Sequence, residues 1–300
     1  MYLPHLELVD PRFRSLVLMN CHLECLWTGG RWLEGPAWFA AGRYLVFSDI
    51  PNNRMMRYDD TDGSVSVFRA PSNHSNGNTV DRQGRLVTCE HLTRCVTRTE
   101  HNGSLAILAH SYKGLRFNSP NDVVVSEDGA IWFTDPTYGI DGDYEGTKAE
   151  SQIGKSLLFR LDPKNDEPEA LANDFVQPNG LAFSPDGHTL YVSDTGATHE
   201  ETGPKHIRRF EVLKGGVKGG EVFAECSLGL FDGFRLDSLG NLWTSSGEGV
   251  QCFSPEGRLL GKISIPEVVS NVCFGGEKRN RLFICGTTSL YATYLNVSGF

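Results

Sequence analysis

The chain repeats itself, and the repeat leaves few folds open. One unit occurs six times in the 300 residues: a polar residue, an alternating apolar stretch, a turn ending in Gly or Asn, then a second alternating stretch closing on a small or acidic residue. The copies are EGPAWFAAGRYLVFSD from Glu34, NGNTVDRQGRLVTCE from Asn76, NDVVVSEDGAIWFTD from Asn121, NGLAFSPDGHTLYVSD from Asn179, DGFRLDSLGNLWTSS from Asp232 and NVCFGGEKRNRLFICG from Asn271. Apolar-polar alternation over such lengths marks half-buried strands, so each copy reads as two antiparallel strands joined by a tight turn. The second strands begin near Leu45, Leu86, Ile131, Leu190, Leu242 and Leu282, which puts neighbours 41, 45, 59, 52 and 40 residues apart. A four-stranded propeller blade needs roughly 40 to 50 residues.

Each copy is therefore a blade and not a domain. After the second strand comes material for two more: MMRYD and SVSVFRA, CVTRTE and SLAILAH, SLLFRLD and EPEALAND, HIRRFEV and GEVFAE, VQCFSP and RLLGKISI. The sixth copy offers only SLYATYL before the sequence ends, and HLECLWTG at 22–29 is the candidate to supply its missing strand. Closing the ring this way removes two open sheet edges. The expectation is an all-β, six-bladed β-propeller with four-stranded blades, a single domain over residues 1–300. The 33 glycines, 11% of the chain, become the turns of successive blades.

The two longest spacings locate insertions. DPTYGIDGDYEGTKAESQIGK follows Asp135 and DTGATHEETGPK follows Asp194, and both read as loops on one face, over the channel mouth. His199, Glu200, Glu201 and His206 resemble scattered metal ligands, but their loop context reads as a solvated segment. Asp135 and Asp194, at the ends of second strands, read as turn anchors.

Charge and cysteine usage narrow the partners. A formal net charge of -9 argues against a phosphate backbone or an anionic membrane surface. No apolar run reaches the ~18 residues of a membrane span, and no basic segment leads into an apolar core at the N-terminus. The eight cysteines are irregularly spaced without a CxxC pair, so they read as reduced thiols, Cys89 and Cys95 included, in a cytoplasmic protein.

The innermost strand of every blade starts at the same end of the central channel. Counting eight residues back from the turn glycines Gly42, Gly84, Gly129, Gly187 and Gly240 gives Glu34, Asn76, Asn121, Asn179 and Asp232, and the sixth blade offers Ser270 or Asn271. Asn, Asp and Ser also favour strand starts because they bond their own backbone, which accounts for one or two of these positions. It does not account for an oxygen-bearing side chain in all six. Two carboxylates and several amide oxygens converging on one axis repel or stay unsatisfied without a cation. An all-oxygen set predicts one divalent ion, Ca²⁺ first, Mg²⁺ or Mn²⁺ next and Zn²⁺ as the less natural choice.

The segments LEGPAWF, FNSPNDVVVSEDGAIWFTDPTYGI, QPNGLAFSPDGHTLYVSDT and FDGFRLDSLGNLWTSS resemble the senescence marker protein-30/gluconolactonase/luciferin-regenerating-enzyme family of six-bladed propellers, from about residue 30 onward. NSPNDVVV and the DPTYG loop resemble its bacterial gluconolactonase branch. The resemblance implies metal ligands at Glu34, Asn121, Asn179 and Asp232 and hydrolysis of an aldonolactone such as glucono-1,5-lactone. In that reaction the ion polarises the lactone carbonyl and Asp232 is base or nucleophile. Asn76 and Asn121 are the implied substrate-orienting amides. Where some relatives carry an Arg two residues before the third-blade Asn, this chain has Ser119, and Arg116 is the nearby candidate; His74 is near the mouth by register. A second, structural calcium in some relatives offers Asp122 or Asp135 as ligands. Diisopropylfluorophosphatase-type hydrolases share the Glu, Asn, Asn, Asp set, so organophosphates or non-sugar lactones are alternative substrates, and a non-catalytic calcium-binding propeller is the alternative outside enzymes. No nucleic acid or membrane partner is expected, and association into a homodimer is left open.

Overall fold

Alternation decides which side of a blade each residue faces, and the computed structural model, which describes residues 5–165 and 167–300, shows the outcome blade by blade. In the second strand of the first blade, Leu45 and Phe47 point into one apolar layer and Val46 into another. In the third blade Ile131 and Phe133 face the second blade while Trp132 faces the fourth. The protein's core is thus six separate layers, one between each pair of neighbouring blades. A period of two splits each strand between two such layers.

Blade 1 is built from Leu33–Phe39, Tyr44–Asp49, Arg54–Asp59 and Val65–Arg69. Blade 2 follows with Ser75–Val80, Leu86–Glu90, Cys95–Thr99 and Leu105–Ala109, and blade 3 with Val123–Val125, Ile131–Asp135, Ser156–Leu161 and Glu169–Phe175. Blade 4 uses Pro178–Phe183, Thr189–Asp194, His206–Leu213 and Gly216–Glu225, and blade 5 Phe234–Leu236, Leu242–Ser246, Gly249–Phe253 and Leu259–Ile263. Each is a sequential antiparallel meander. Blade 6 has Val269–Gly275, Arg281–Gly286 and Ser289–Tyr294, and its outer strand is Glu24–Thr28, paired in the register Glu24 to Ala292 and Thr28 to Ser289. The expected N-terminal closure is therefore present.

One feature of the N-terminus is absent from the repeat pattern. Leu6–Leu8 adds a fifth strand to blade 5, with Leu6 opposite Ile263. The 3₁₀ turn Pro11–Ser15 follows, started by the Asp10 carboxylate accepting the Arg12 N–H, and drops Phe13 against Trp243. Phe13 is fully buried, worth about 1.5–3 kcal/mol on transfer grounds, and Gly261 makes room for it because any Cβ there would strike its ring. The N-terminal segment belts blades 5 and 6 together.

The turns carry one departure from the glycine pattern. Gly84, Gly129, Gly187 and Gly240 have the positive φ that L-residues avoid, but in blade 1 the left-handed residue is Arg43, beside Gly42. All eight cysteines are free. In the hairpin Cys89 lies opposite Val96 and Cys95 opposite Glu90, so the pair do not face each other. Among the described residues no helix is long and apolar enough to cross a membrane.

Candidate functional site

The six ring positions come together because neighbouring blades are tied backbone to backbone at the channel. Gly77 N–H donates to the Asn121 carbonyl at 2.7 Å, Gly180 to Asp232 at 3.1 Å and Gly233 to Ser270 at 2.7 Å. Hydroxyls on second strands reinforce this: Ser48 donates to the Asn76 carbonyl at 2.7 Å, Thr134 to Asn179 at 2.7 Å and Ser193 to Asp232 at 2.9 Å. The glycine after the ring residue permits the approach. A Cβ on Gly35, Gly77 or Gly180 would collide with the main chain of the next blade, and on Gly233 with the Asn271 side chain. EG, NG and DG in the repeat are thus packing motifs as well as ligand motifs.

A second device sets the ring residues from behind. The acid closing a second strand accepts a hydrogen bond from the residue three before the ring position. Asp49 takes the Arg31 N–H at 3.0 Å, Asp135 the Asn118 N–H at 2.8 Å and Asp194 the Val176 N–H at 3.0 Å. In blade 2, Glu90 takes the Asn73 side-chain amide at 3.0 Å. The turn-anchor reading of Asp135 and Asp194 holds. Burial pushes the Asp135 carboxyl up to about 7, against the backbone N–H groups of Asn118 and Ser119.

Glu34 is buried. Its Oε2 accepts from the Asn271 amide at 2.9 Å and from the Gly35 N–H, while its Oε1 has no hydrogen-bond partner. Burial, and then the negative charge of Asp122, raise its pKa. Asp232 opens partly onto the channel, with its N–H on Ser245 Oγ at 2.8 Å, and its pKa is raised well above the usual value. The causes are burial, then repulsion from Glu34, Glu145 and Asp122, opposed by the Asn179 amide. Asn179 also donates to Thr195 Oγ1 at 3.3 Å. Asn76 and Asn121 are buried, and the Asn76 Oδ1 is a second oxygen with no partner among the described residues.

Asp122 has other company. Its Oδ1 takes the Val123 N–H, and its Oδ2 lies 3.3 Å from the Leu181 N–H and 3.4 Å from the Arg235 guanidinium. Arg235 also lines a cavity of about 1370 Å³ at the far end of the channel, bounded by first-turn residues such as Asp81, Glu127 and Asp186. An arginine therefore stands where a second cation at Asp122 would be needed. That pair joins residues 113 apart, and no local motif announces it.

The two insertions meet at the ring end. The Tyr138 hydroxyl shares hydrogen bonds with Thr195 Oγ1 and Thr198 Oγ1, at 2.6 and 2.9 Å, and His199 Nε2 lies 2.8 Å from Asp141. Burial raises the Tyr138 hydroxyl, with the negative charge of Asp232 adding to the shift. Glu145 from the same loop is pushed up to about 7, by burial and then Asp141. The sequence offered no motif for Glu145. His199 thus serves as a clasp between loops, within a segment that is exposed as a solvated loop is.

His74 sits in the left-handed pair Asn73–His74 and places Nδ1 2.9 Å from the Ile50 carbonyl. Arg116 is exposed on the short Ser111–Arg116 hairpin, with its guanidinium on the Thr93 carbonyl at 2.9 Å and its N–H on Gln152. None of these partners belongs to the ring, so its place in a substrate shell has no support from its contacts.

The ring passes the chemical test for a hard cation: two carboxylates that repel each other, amides between them, and a buried oxygen on Glu34 without a donor. Among the described residues no group of three or more His, Cys, Asp or Glu is close enough to hold an ion. The ring has only two carboxylates at its six positions, so such a cluster is not what it would present.

Comparison with known proteins identifies the family. Residues 32–288 match the family model described as SMP-30/Gluconolactonase/LRE-like region. A gluconolactonase of Zymomonas mobilis is 33% identical over 92% of this chain and 82% of its own. A 6-deoxy-6-sulfogluconolactonase of Pseudomonas putida is 30% identical over 84% of this chain and 81% of its own. The solved structure of a gluconolactonase from Xanthomonas campestris superposes with a TM-score of 0.90 at 39% identity, covering 97% of this chain and 94% of that one. The chain belongs to the SMP-30/gluconolactonase/luciferin-regenerating-enzyme-like family.

Proposed function

We propose that the protein is a lactonase that opens a sugar lactone, an aldonolactone such as glucono-1,5-lactone, at the ring end of the channel. The observation that carries this reading is the Glu34 and Asp232 pair. The two carboxylates repel each other at the ring end, one buried with an unpartnered oxygen and the other only partly buried. The gluconolactonase relatives supply the substrate class.

Glu34, Asn121, Asn179 and Asp232 are the side chains that would hold a divalent ion, Ca²⁺ in the first place. Such an ion supplies positive charge against the lactone carbonyl oxygen, where negative charge develops. Asp232 takes the proton of the attacking water or attacks the carbonyl carbon itself. With water as nucleophile the ring ester C–O bond breaks, the ring oxygen takes a proton and the hydroxy acid leaves; with Asp232 as nucleophile the same bond breaks to give an acyl anhydride on Asp232, which a water then hydrolyses to release the hydroxy acid. Asn121, Asn76 and His74 face the hydroxyls of the sugar. Tyr138 and Glu145, on the loop over the mouth, screen the site from bulk water.

The test is acid release from a panel of aldonolactones, with and without a chelator, by wild type and Asp232→Ala. The expected result is turnover that the chelator abolishes and that falls at least about a thousandfold in the variant. Equal slow rates for the two proteins would remove Asp232 from the mechanism. Turnover confined to phosphofluoridates or aromatic lactones would replace the sugar.

A further inference from the structure

Blade 2 places a histidine directly behind a ring amide. His91 follows the second strand Leu86–Glu90, is 1% exposed, and donates its main-chain N–H to the His74 carbonyl at 3.1 Å. Its ring is held flat against the loop after Asp135: a Cβ on Gly139 would lie 2.6 Å from His91 Cβ and Cγ. The Nδ1 lies 3.2 Å from the Glu145 carbonyl and the Nε2 3.2 Å from Asn76 Nδ2.

These two contacts fix one another. A carbonyl only accepts, so Nδ1 carries the proton. Burial lowers the His91 pKa to about 4, so near neutral pH the ring is uncharged and Nε2 has a bare lone pair. Only the NH₂ side of the Asn76 amide can meet that lone pair. Its Oδ1 is thereby left on the side of the amide away from His91, buried and unpartnered among the described residues.

We propose that His91 is a positioning residue that sets the Asn76 amide, so that Oδ1 and not NH₂ faces the channel and accepts a hydrogen bond from a hydroxyl of the sugar lactone. The role as hydroxyl acceptor rests on the lactonase reading; the orientation of the amide does not. The chain of bonds runs from loop backbone through imidazole to amide. Glu34 is instead tied sideways to Asn271 of the next blade. A reader of hydroxyls at this point lets the enzyme prefer polyhydroxylated lactones over plain ones, because an unfilled buried acceptor penalises a substrate that lacks the donor.

Ring-nitrogen NMR of ¹⁵N-histidine-labelled protein at pH 7, with the His91 signals assigned by their loss in His91→Gln, tests the orientation without any turnover. The expected species is the neutral Nδ1–H tautomer. A neutral Nε2–H form would overturn the proposal. Kinetics then test the hydroxyl. In His91→Leu, KM for glucono-1,5-lactone should rise about tenfold with kcat nearly unchanged, the size of one hydrogen bond, while hydrolysis of unsubstituted δ-valerolactone stays as in wild type. His91→Gln, whose Oε1 can still accept from Asn76, should recover most of the loss. Equal losses on both lactones would make His91 merely structural. A fall in Ca²⁺ affinity with unchanged lactone preference would assign Oδ1 to the ion, against the proposal. If wild type hydrolyses neither lactone, the lactonase reading and the hydroxyl role fall together, and the tautomer still decides the amide.

Discussion

Replacing Gly180 by Ala isolates how closely the blades approach at the channel. Gly180 does not have the positive φ that favours glycine, so an added methyl strains no dihedral. The methyl would lie 2.9 Å from Gly233 Cα and 3.2 Å from the Asp232 carbonyl carbon, and closer still to its oxygen. All three are main-chain atoms and none can rotate away. Relief requires blades 4 and 5 to part, which stretches the 3.1 Å bond from Gly180 N–H to Asp232. Overpacking costs about 1–3 kcal/mol, and the weakened hydrogen bond adds about 1, for a total of about 2–4 kcal/mol. With roughly 2 cal/mol/K of unfolding entropy per residue, a chain of 300 residues loses about 3–7 °C in Tm. Thermal unfolding followed by circular dichroism should show that drop in a single transition. Gly216→Ala, where a Cβ meets nothing within 4 Å, is the control and should stay within a degree of wild type. A Gly180→Ala protein that melts with wild type would mean the ring is looser than its contacts imply, and the packing account of the NG and DG motifs would fall.

Two further outcomes follow from the buried titrating groups. His91 has a folded pKa of about 4 against an ordinary 6.5. Its stability contribution is therefore complete above about 6.5 and is lost as the pH falls from there toward 4, amounting to about 3 kcal/mol. Urea midpoints of His91→Leu should lack that part of the acid destabilisation, and parallel pH curves for the two proteins would refute it. Glu34 has a raised folded pKa, so its buried charge destabilises the fold increasingly as pH rises. In chelator at pH 8, Glu34→Gln should melt above wild type yet show no rise in Tm when Ca²⁺ is added; an undiminished Ca²⁺ shift would remove Glu34 from the ion site.

Much of the architecture is legible in the sequence because a repeat is a long-range signal written locally. The turn glycines mark the blades, and the register counted from them reaches Glu34, Asn76, Asn121, Asn179 and Asp232, which the interblade bonds bring to one end of the channel. The closing strand at Glu24–Thr28 is legible for a different reason: blade 6 lacks a strand and this alternating segment stands just before the first blade. What is not legible depends on contacts between segments that the repeat does not relate. Leu6–Leu8 on blade 5 has no counterpart in other blades. Asp122 with Arg235, and His91 with Glu145, are juxtapositions made by the ring itself. Arg116 shows the converse. Nearness in sequence to the third-blade motif suggests a substrate contact, while the partner its guanidinium has, the Thr93 carbonyl, is one that nearness does not announce.

Arg235 completes the charge accounting of the channel and can be tested through it. Glu34, Asp122 and Asp232 interact there and Glu145 adds to the field at Asp232, while Arg235 bonds only Asp122. Arg235→Met keeps the aliphatic stem and removes the cation, leaving Asp122, 1% exposed, with only the Val123 and Leu181 N–H groups. Stranding a buried charge costs about 3–5 kcal/mol, which at roughly 2 cal/mol/K of unfolding entropy per residue becomes a Tm loss of about 5–8 °C in chelator. The more negative site should then gain more from a cation that binds only the folded protein. Added Ca²⁺ should therefore raise the Tm of Arg235→Met by more than it raises that of wild type, narrowing the gap between them. If the gap is the same with and without Ca²⁺, the arginine and the proposed ion do not share one field, and the channel is not balanced by the pair.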